Sequence, residues 1–211
     1  MKYIVKESAP ESLVFHKKQL QATYDSYREK DDVRTSLLQE QGFICCYCMS
    51  RIEKGNMKIE HWLPQSKHPD RTLDYKIMLG VCLGFQKRPY HQQCCDSHRQ
   101  NEELIINPTN QVMVDTIKYS GGGEISSENA DIDNDLNKTL NLNTEILKGN
   151  RKATLQAVIK SIGKRHDAWN VADIKRAIKF YSKKDKNGAY APYCQVALYF
   201  LQKRLSRQKV R

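Results

Sequence analysis

The sequence predicts an α+β protein that is mainly helical, with a small cysteine-rich module between N-terminal helices and a basic C-terminal helical region. Three observations lead to this prediction. Six of the seven cysteines lie between residues 45 and 95. Apolar residues recur at helical spacing on both sides of that stretch. The positive charge of the chain is concentrated after residue 145.

We expect four segments along the chain. They are an N-terminal helical segment (residues 1–42), the cysteine-rich module (43–110), a small β ribbon with a linker (111–145) and the basic helical region (146–211).

The charge distribution indicates a phosphate-rich partner. The chain has 211 residues and a net charge of +11, and residues 146–211 contain 17 lysines and arginines against three aspartates. A strongly basic segment joined to a nearly neutral one is typical of proteins that bind nucleic acid. The alternative is a solvated helical surface with no such partner.

The composition also bears on location. Hydrophobic residues make up 39% of the chain, and no apolar run approaches the roughly 20 residues that a membrane span needs. The N-terminal residues Met1–Glu7 contain no apolar signal segment. We therefore expect a cytoplasmic protein with no membrane partner, in which clustered cysteines bind metal rather than form disulfides.

The N-terminal segment predicts two helices. Met1–Val5 is expected to be a short strand or an extended arm. Ser8 is a candidate cap for a helix whose apolar face continues to about Tyr27. Asp31–Asp32 is expected to cap a second helix, which Gly42 ends in the left-handed conformation.

The cysteine-rich module predicts a hairpin and a short helix. Arg51–Glu53 and Met57–Trp62 alternate like two strands around a turn at Lys54–Asn56, which puts His61 at the end of the second strand. Cys94–Gln100 has the pattern of a short helix.

From Leu104 onward, apolar clusters at Leu104–Ile106 and Val112–Val114 predict strands. Ile117–Tyr119 is expected to pair back on Glu124–Ile125 across a glycine turn. The rest of the chain is expected to be helical, with caps at residues 133–135 and at Thr144 and further helices around residues 146–163, 171–181 and 196–205.

The cysteine spacing predicts a metal site. Cys45 and Cys48 form a C-x-x-C pair, which is a common half-site for zinc. Cys82 and Cys95 are the best second pair, 33 residues after the first pair and separated from each other by 12 residues. A site of four thiolates is closed to substrate, so this Zn²⁺ would be structural.

The ligand set has alternatives. Cys46 and Cys94 are adjacent cysteines, Cys94 could replace Cys95, and His91 could replace either. Some of these thiols could also be small buried apolar side chains without a metal. Cys194 stands alone in an apolar helix and is expected to be part of the core.

The residues around His61 indicate phosphodiester hydrolysis. Glu60 precedes His61 directly, and Asp96 and Arg99 follow the last cysteines. His61 could activate water, Glu60 and Asp96 could bind Mg²⁺ or a similar ion, and Arg99 could contact a phosphate. Alternatively, Asp96 and Arg99 form an exposed helical ion pair of little energetic value.

These motifs together resemble a known family. The C-x-x-C pair, the Ile59–Pro64 block, Cys82 and the Cys95-Asp96-x-x-Arg99 pattern resemble the HNH (ββα-metal) endonucleases that carry a structural zinc. Further motifs are similar to the HNH subunits of Septu and retron-associated anti-phage defence systems. These are Leu73–Tyr75, Leu79–Cys82, Cys95–Asp96, Ile106–Pro108 and Leu140–Asn143.

The resemblance implies a zinc-stapled ββα-metal HNH core and a nuclease acting on DNA or, as a second option, RNA such as tRNA. His61 matches the general base, Glu60 and Asp96 match ligands of a catalytic Mg²⁺ or Mn²⁺, and Arg99 matches the final basic residue. It also implies an SMC/ABC-like ATPase partner of the PtuA type, with a retron reverse transcriptase–msDNA complex as a further candidate partner.

The chain departs from the family at Ile77, where the resemblance requires an asparagine. Isoleucine can neither bind a metal nor form a hydrogen bond with His61. Asp74, Asn101 or His98 could take over that role. The alternative function is therefore a non-catalytic zinc-stapled subunit that binds nucleic acid or docks on a partner.

Overall fold

The computed structural model describes residues 1–163 and 169–208. Within them the protein is mainly helical with few strands, which confirms the predicted α+β class. Residues 164–168 and 209–211 of the predicted basic helical region lie outside the described residues.

The regular elements are short except near the C-terminus. The helices are α1 (Glu11–Lys17), α2 (Lys30–Gln41), α3 (Asp96–Arg99), α4 (Gln111–Asp115), α5 (Ala130–Asn134), α6 (Glu145–Ile162), α7 (Val171–Ser182) and α8 (Cys194–Gln208). The strands are β1 (Met57–His61), β2 (Met78–Cys82), β3 (Ile117–Tyr119) and β4 (Ile125–Ser127).

The first helix is shorter than predicted. It ends at Lys17 rather than near Tyr27, and Pro10 rather than Ser8 occupies its N-cap position. The physical reason is a side-chain network in the following turns. The Oγ of Ser26 donates to the carbonyl of Thr23, and the N–H of Thr23 donates back to that Oγ, so these local bonds replace helical ones.

The second helix ends at Gly42 as predicted, but the predicted cap is wrong: Glu29 occupies the N-cap position without a side-chain cap bond, and Asp31 and Asp32 lie inside the first turn. Its C-cap Gly42 has φ +60°, and the N–H of Phe43 donates to the carbonyl of Leu38. A Cβ at Gly42 would overlap the ring of Tyr190, so the residue must be glycine for space as well as for conformation.

The predicted hairpin is wrong, because β1 pairs with β2 and not with Arg51–Glu53. The pairing is antiparallel, with Met57 opposite Cys82 and His61 opposite Met78. Arg51 instead forms an isolated bridge with Ile44, and the N–H of Ile52 donates to Phe43. The backbone groups that a hairpin would need are therefore used to close the C-x-x-C turn.

Gln41, at the end of α2, attaches that helix to the sheet. Its side chain is buried, its Nε2 donates to the carbonyl of Gly80 (2.8 Å), and its Oε1 accepts from the N–H of Gly80 (2.6 Å). The N–H and the carbonyl of Gly80 face away from β1, and the Gln41 side chain satisfies both inside the protein.

Two predicted strands after the module are also wrong. Residues 104–106 are not a strand, because the N–H groups of Ile105 and Ile106 donate to the buried carboxylate of Asp135 (2.6 and 2.8 Å). The Val112–Val114 cluster belongs to α4, whose N-cap Asn110 accepts from the N–H of Met113.

The remaining C-terminal predictions agree with the structure, apart from the start of α5. The ribbon of β3 and β4 is antiparallel as expected. Thr144 caps α6 by accepting from the N–H of Leu147, as predicted. The cap of α5 is Asn129 rather than Asp133–Asp135, and a π-helical turn follows it at Asp135–Thr139.

The main hydrophobic cluster extends from the N-terminal arm through the cysteine-rich module to α8, and it contains Cys194 as predicted. A second cluster joins α6, α7 and α8. It consists of Val158, Trp169, Ile174, Ala197 and Leu201. Across the described ranges, no helix has both the length and the apolar character needed to span a bilayer.

Candidate metal centre and adjoining polar site

Four cysteines that are distant in sequence come together in space. The Sγ atoms of Cys45, Cys48, Cys82 and Cys95 all lie within 4.8 Å of one another. The Cys45–Cys95 distance is 3.9 Å and the Cys48–Cys82 distance is 3.7 Å. Four sulfurs at about 2.3 Å from a tetrahedral ion would be about 3.8 Å apart, so these thiols could hold a metal ion such as zinc.

Local backbone geometry aims the four thiols at one point. Cys45 and Cys48 lie on a tight turn in which the N–H of Cys45 donates to Ser50 and the N–H of Met49 donates to Cys45. Cys82 is the last residue of β2. Cys95 immediately precedes α3 and has φ +56° with ψ −142°, a rare positive-φ conformation that turns the chain into the helix.

The other candidate ligands lie outside this group. Cys94 and Cys46 are both buried, and burial raises the pKa of the Cys46 thiol well above its usual value. The Cys94 thiol interacts with those of Cys82 and Cys95, but it is not one of the four that lie within 4.8 Å of one another. His91 is exposed, with its Nε2 3.3 Å from Nε2 of Gln92. Among the described residues, Cys95 is therefore the cysteine that completes the cluster.

A buried ion pair lies beside the cysteine cluster. Glu60 on β1 is paired with Arg99 on α3, and both side chains are almost fully buried. The hydroxyl of Tyr47, within the C-x-x-C turn, donates to the same Glu60 carboxylate (2.8 Å). The turn, the first strand and the short helix therefore meet at one carboxylate.

The guanidinium of Arg99 donates hydrogen bonds to several protein acceptors. In addition to Glu60, its guanidinium donates to the carbonyls of His61 (3.2 Å), Trp62 (2.6 Å) and Glu102 (2.7 Å). It is 2% exposed. The sequence predicted a phosphate contact for Arg99, but in this conformation its side chain holds the end of β1 against α3 instead.

Asp96 lies on the same side of the sheet as Glu60. Lys58 and Glu60 alternate with His61 along β1, so they face α3 while His61 faces the other way. The Nζ of Lys58 donates to Asp96 (2.9 Å). Burial raises the pKa of Glu60 to about 8, the nearby Asp96 carboxylate adds to the increase, and Arg99 opposes it.

His61 is held from the opposite face of the strand. Its Nε2 is 2.9 Å from the carbonyl of Thr72, which can only accept, so Nε2 carries the proton and Nδ1 carries the lone pair. Within the described ranges, Nδ1 is buried and has no hydrogen-bond partner. Burial also lowers the pKa of His61, which favours the neutral imidazole.

The ring of Tyr24 covers the ring of His61. The two centroids are 4.6 Å apart and the planes are nearly perpendicular. Tyr24 belongs to the irregular segment between α1 and α2, where a longer first helix was predicted. The imidazole is a proton acceptor by its tautomer, but it is enclosed in this conformation.

The residues proposed to replace the missing asparagine have other partners. Ile77 is buried, and its carbonyl accepts from the N–H of Trp62. Asp74 accepts from Arg71 and from the N–H of Lys76, and the ring of His98 contacts the carbonyl of Thr139. Asn101 is exposed.

The residue that orients His61 is Thr72, which was not predicted. The contact uses a backbone carbonyl, which every residue type has, so no side-chain pattern in the sequence could have identified it.

The chain is weakly similar to a protein of known name. No protein-family model matches the chain. A protein named Septu protein PtuB from Bacillus thuringiensis is 29% identical over 82 residues, which cover 38% of this chain and 30% of that protein. The matched region is therefore less than a third of the relative's length. This similarity supports a Septu-related relationship.

The first prediction concerns zinc binding by the four cysteines. Replacing Cys95 by Ala should lower the zinc content of the purified protein from about one ion per chain and lower its melting temperature, because a tetrahedral site would lose a ligand. Elemental analysis and thermal unfolding measure the two effects. The adjacent, equally buried Cys94→Ala variant is the control and should keep its zinc. Full zinc retention by the Cys95 variant would contradict this assignment.

The second prediction concerns the contribution of the Glu60–Arg99 pair to stability. Arg99→Met should reduce the free energy of unfolding by about 3 kcal/mol or more, because it leaves Glu60 buried without its partner. Denaturant unfolding measures the change. Arg34→Met is the control: its partner Asp31 is largely exposed, so the loss should be much smaller than for Arg99→Met. Equal losses in the two variants would show that burial adds nothing to the Arg99 pair.

Proposed function

We propose that this protein is a metal-dependent HNH-type endonuclease that serves as the effector subunit of a Septu-type anti-phage defence system. The observation that carries the proposal is the hydrogen bond from His61 to the carbonyl of Thr72. It leaves Nδ1 as a base at the end of β1. The preceding residue, Glu60, points to the opposite face of the strand, where Asp96 lies.

The order of elements supports the HNH comparison. Two antiparallel strands, β1 and β2, precede the one-turn helix α3, and the candidate base lies at the end of β1. This is the strand–strand–helix order that the ββα-metal resemblance implies. The cysteine cluster joins the end of β2 to the start of α3, so a bound zinc would stabilise a unit too small to have much of a core.

In the proposed reaction His61 Nδ1 removes a proton from the attacking water. Because His61 faces the other way along β1 from Glu60 and Asp96, the end of this strand must turn for one phosphate to reach both faces. The bond from Nε2 to Thr72 keeps the ring oriented and keeps its tautomer constant, which is the role that a side-chain amide would otherwise have. A base that depends on a backbone carbonyl does not need asparagine at position 77. The departure at Ile77 is therefore compatible with activity.

Glu60 and Asp96 would hold the catalytic Mg²⁺ or Mn²⁺. Carboxylate oxygens are the ligands that these ions prefer, and such an ion neutralises charge on the scissile phosphate and the leaving oxygen. Burial and the nearby Asp96 raise the pKa of Glu60, and a cation bound by both carboxyl groups would favour the ionised form of each. That cation would compete with Lys58 for Asp96 and with Arg99 for Glu60.

The cover over His61 supports a conditional enzyme. Nδ1 is buried and the ring of Tyr24 packs edge-on against the imidazole, so movement of the segment that carries Tyr24 would open a route to it. A partner that contacts this segment could therefore control cleavage. We propose that the partner is an SMC/ABC-like ATPase of the PtuA type, and that a retron reverse transcriptase–msDNA complex is the second partner to test. The substrate would be DNA, with RNA as the alternative.

A second function is supported by the same geometry. The enclosed Nδ1, the saturated Arg99 and the apolar Ile77 also suit a zinc-stapled subunit that binds nucleic acid or a partner without cleaving anything. The two functions differ in whether His61 is required for cleavage.

Replacing His61 by Ala tests the nuclease. Cleavage of DNA and RNA in the presence of Mg²⁺ or Mn²⁺ and the ATPase partner should fall by about 100-fold or more, because general-base catalysis is lost. His68→Ala is the matched control, since that ring is only paired with Glu103 at the surface, and it should cleave normally. Zinc content should be unchanged in both variants. Cleavage by the His61 variant at the wild-type rate, or no cleavage by the wild type, would favour the non-catalytic subunit.

Replacing Tyr24 by Ala tests the cover. The isolated chain should cleave faster than wild type, by a few-fold or more, because the imidazole is no longer enclosed. Tyr90→Ala is the control, because that ring stacks on His98 instead and should leave the rate unchanged. Initial rates without the partner measure both. A rate for the Tyr24 variant at or below that of wild type would show that this ring does not restrict access.

A further inference from the structure

A strongly basic cleft lies where α7 ends and the loop toward α8 begins. It has a volume of about 410 Å³. We refer to it as the α7 cleft. Its lining includes five cationic side chains and one exposed aromatic ring, namely Arg51, Arg176, Lys179, Lys183, Lys184 and Phe180. One carboxylate, that of Asp185, also lines it.

That carboxylate is already in use. Asp185 accepts hydrogen bonds from the N–H groups of Asn187 and Ala189, both at 2.9 Å, and these bonds fold the loop. Among the ion pairs of the described residues, Arg176 is paired with Asp173 (3.3 Å) on the same helix, and none includes Lys179, Lys183 or Lys184. The cleft therefore has a large excess of positive charge, and an anionic ligand would stabilise it.

The walls of the cleft are held in place. Arg51 donates to the carbonyls of Phe43 (3.0 Å) and Tyr190 (2.6 Å), which join the C-x-x-C turn to the loop. Lys184 donates to the carbonyl of Gln39 (2.5 Å) at the end of α2. Both residues thus position the wall, while Lys179 and Lys183 remain available to a ligand.

An aromatic ring is exposed among these cations. Phe180 is 67% exposed, and its ring is supported edge-on by Tyr181 with centroids 5.0 Å apart. Arg176 and Phe180 are four residues apart and therefore lie on one face of α7, and Lys183 directly follows the last residue of that helix. A large apolar ring that is left in water beside uncompensated cations is typical of surfaces on which a nucleic-acid base stacks.

We propose that the α7 cleft binds an unpaired stretch of nucleic acid, with one base stacked on Phe180 and the flanking phosphates held by Lys179, Lys183 and Arg176. A base pair inside a duplex has both faces covered by its neighbours, so only an unpaired or displaced nucleotide can use the ring. Binding here does not involve His61, so the inference stands or falls independently of the proposed cleavage.

Binding of a fluorescent oligothymidylate of about 12 nucleotides, within the usual range of single-strand site sizes, tests the proposal. Fluorescence anisotropy is measured on the full chain with its metal, at low salt and without added divalent cation. Phe180→Ala should weaken binding about fivefold or more, because the stacking contact is lost. Phe15→Ala is the matched control: its ring is 70% exposed on α1, and binding should not change.

The lysines are tested by the salt dependence of the same affinity. Replacing Lys179 and Lys183 together by Gln should reduce the slope of log K against log salt by about 1.4, because two phosphate contacts are lost and each contributes about 0.7 on a single strand. Lys152→Gln on α6 is the control, since this lysine is exposed but lies outside the cleft. It should leave the slope unchanged.

The proposal is overturned if wild type does not bind the oligonucleotide, or if Phe180→Ala binds within twofold of wild type. It is also overturned if a duplex of the same length binds equally well and with the same sensitivity to Phe180. Displacement of the oligonucleotide by a short acidic peptide at lower concentration would assign the cleft to a protein partner instead. Loss of cleavage with intact binding would count against the nuclease and leave the cleft assignment standing.

Discussion

The convergence of four thiols is the constraint on which the rest of the site depends. Cys45 and Cys48 come from a turn after α2, Cys82 ends β2, and Cys95 starts α3, so their meeting positions three elements at once. Asp96 follows Cys95 directly, and Arg99 lies one helical turn later, where it reaches Glu60 on β1. This helix is only four residues long, so it depends on the thiol cluster together with the bonds of Asp96 and Arg99 to β1 for its position beside the sheet.

The buried Glu60–Arg99 pair links that scaffold to the candidate chemistry. A guanidinium that is 2% exposed must have its charge and its donors satisfied, and it takes acceptors from Glu60, His61, Trp62 and Glu102. The consecutive carbonyls of His61 and Trp62 at the end of β1 are thereby held in place. His61 lies at one of them, so its ring is presented from a rigid position on the opposite face. An arginine predicted to contact substrate is thus better explained as a positioning residue.

Both proposals concern how a nucleic acid would be handled, and they use different parts of the molecule. The candidate base is enclosed by Tyr24, whereas Phe180 and the lysines of the α7 cleft are open to solvent. A chain that can bind a strand while its base is covered would hold substrate before it cleaves. Such a separation suits an effector that must remain inactive until a partner moves the segment between α1 and α2.

Several features could be predicted from the sequence because they depend on neighbouring residues. The C-x-x-C turn, the end of α2 at Gly42, the cap at Thr144 and the β3–β4 ribbon all follow from local hydrogen bonding and local conformation. Tertiary structure decided what depends on residues far apart in the chain. It paired β1 with β2 rather than with Arg51–Glu53, and it brought Cys95 rather than Cys94 to the thiol cluster. It also placed Arg99 in the interior and His61 against Thr72, contacts that adjacent residue types cannot encode because a backbone carbonyl is the partner.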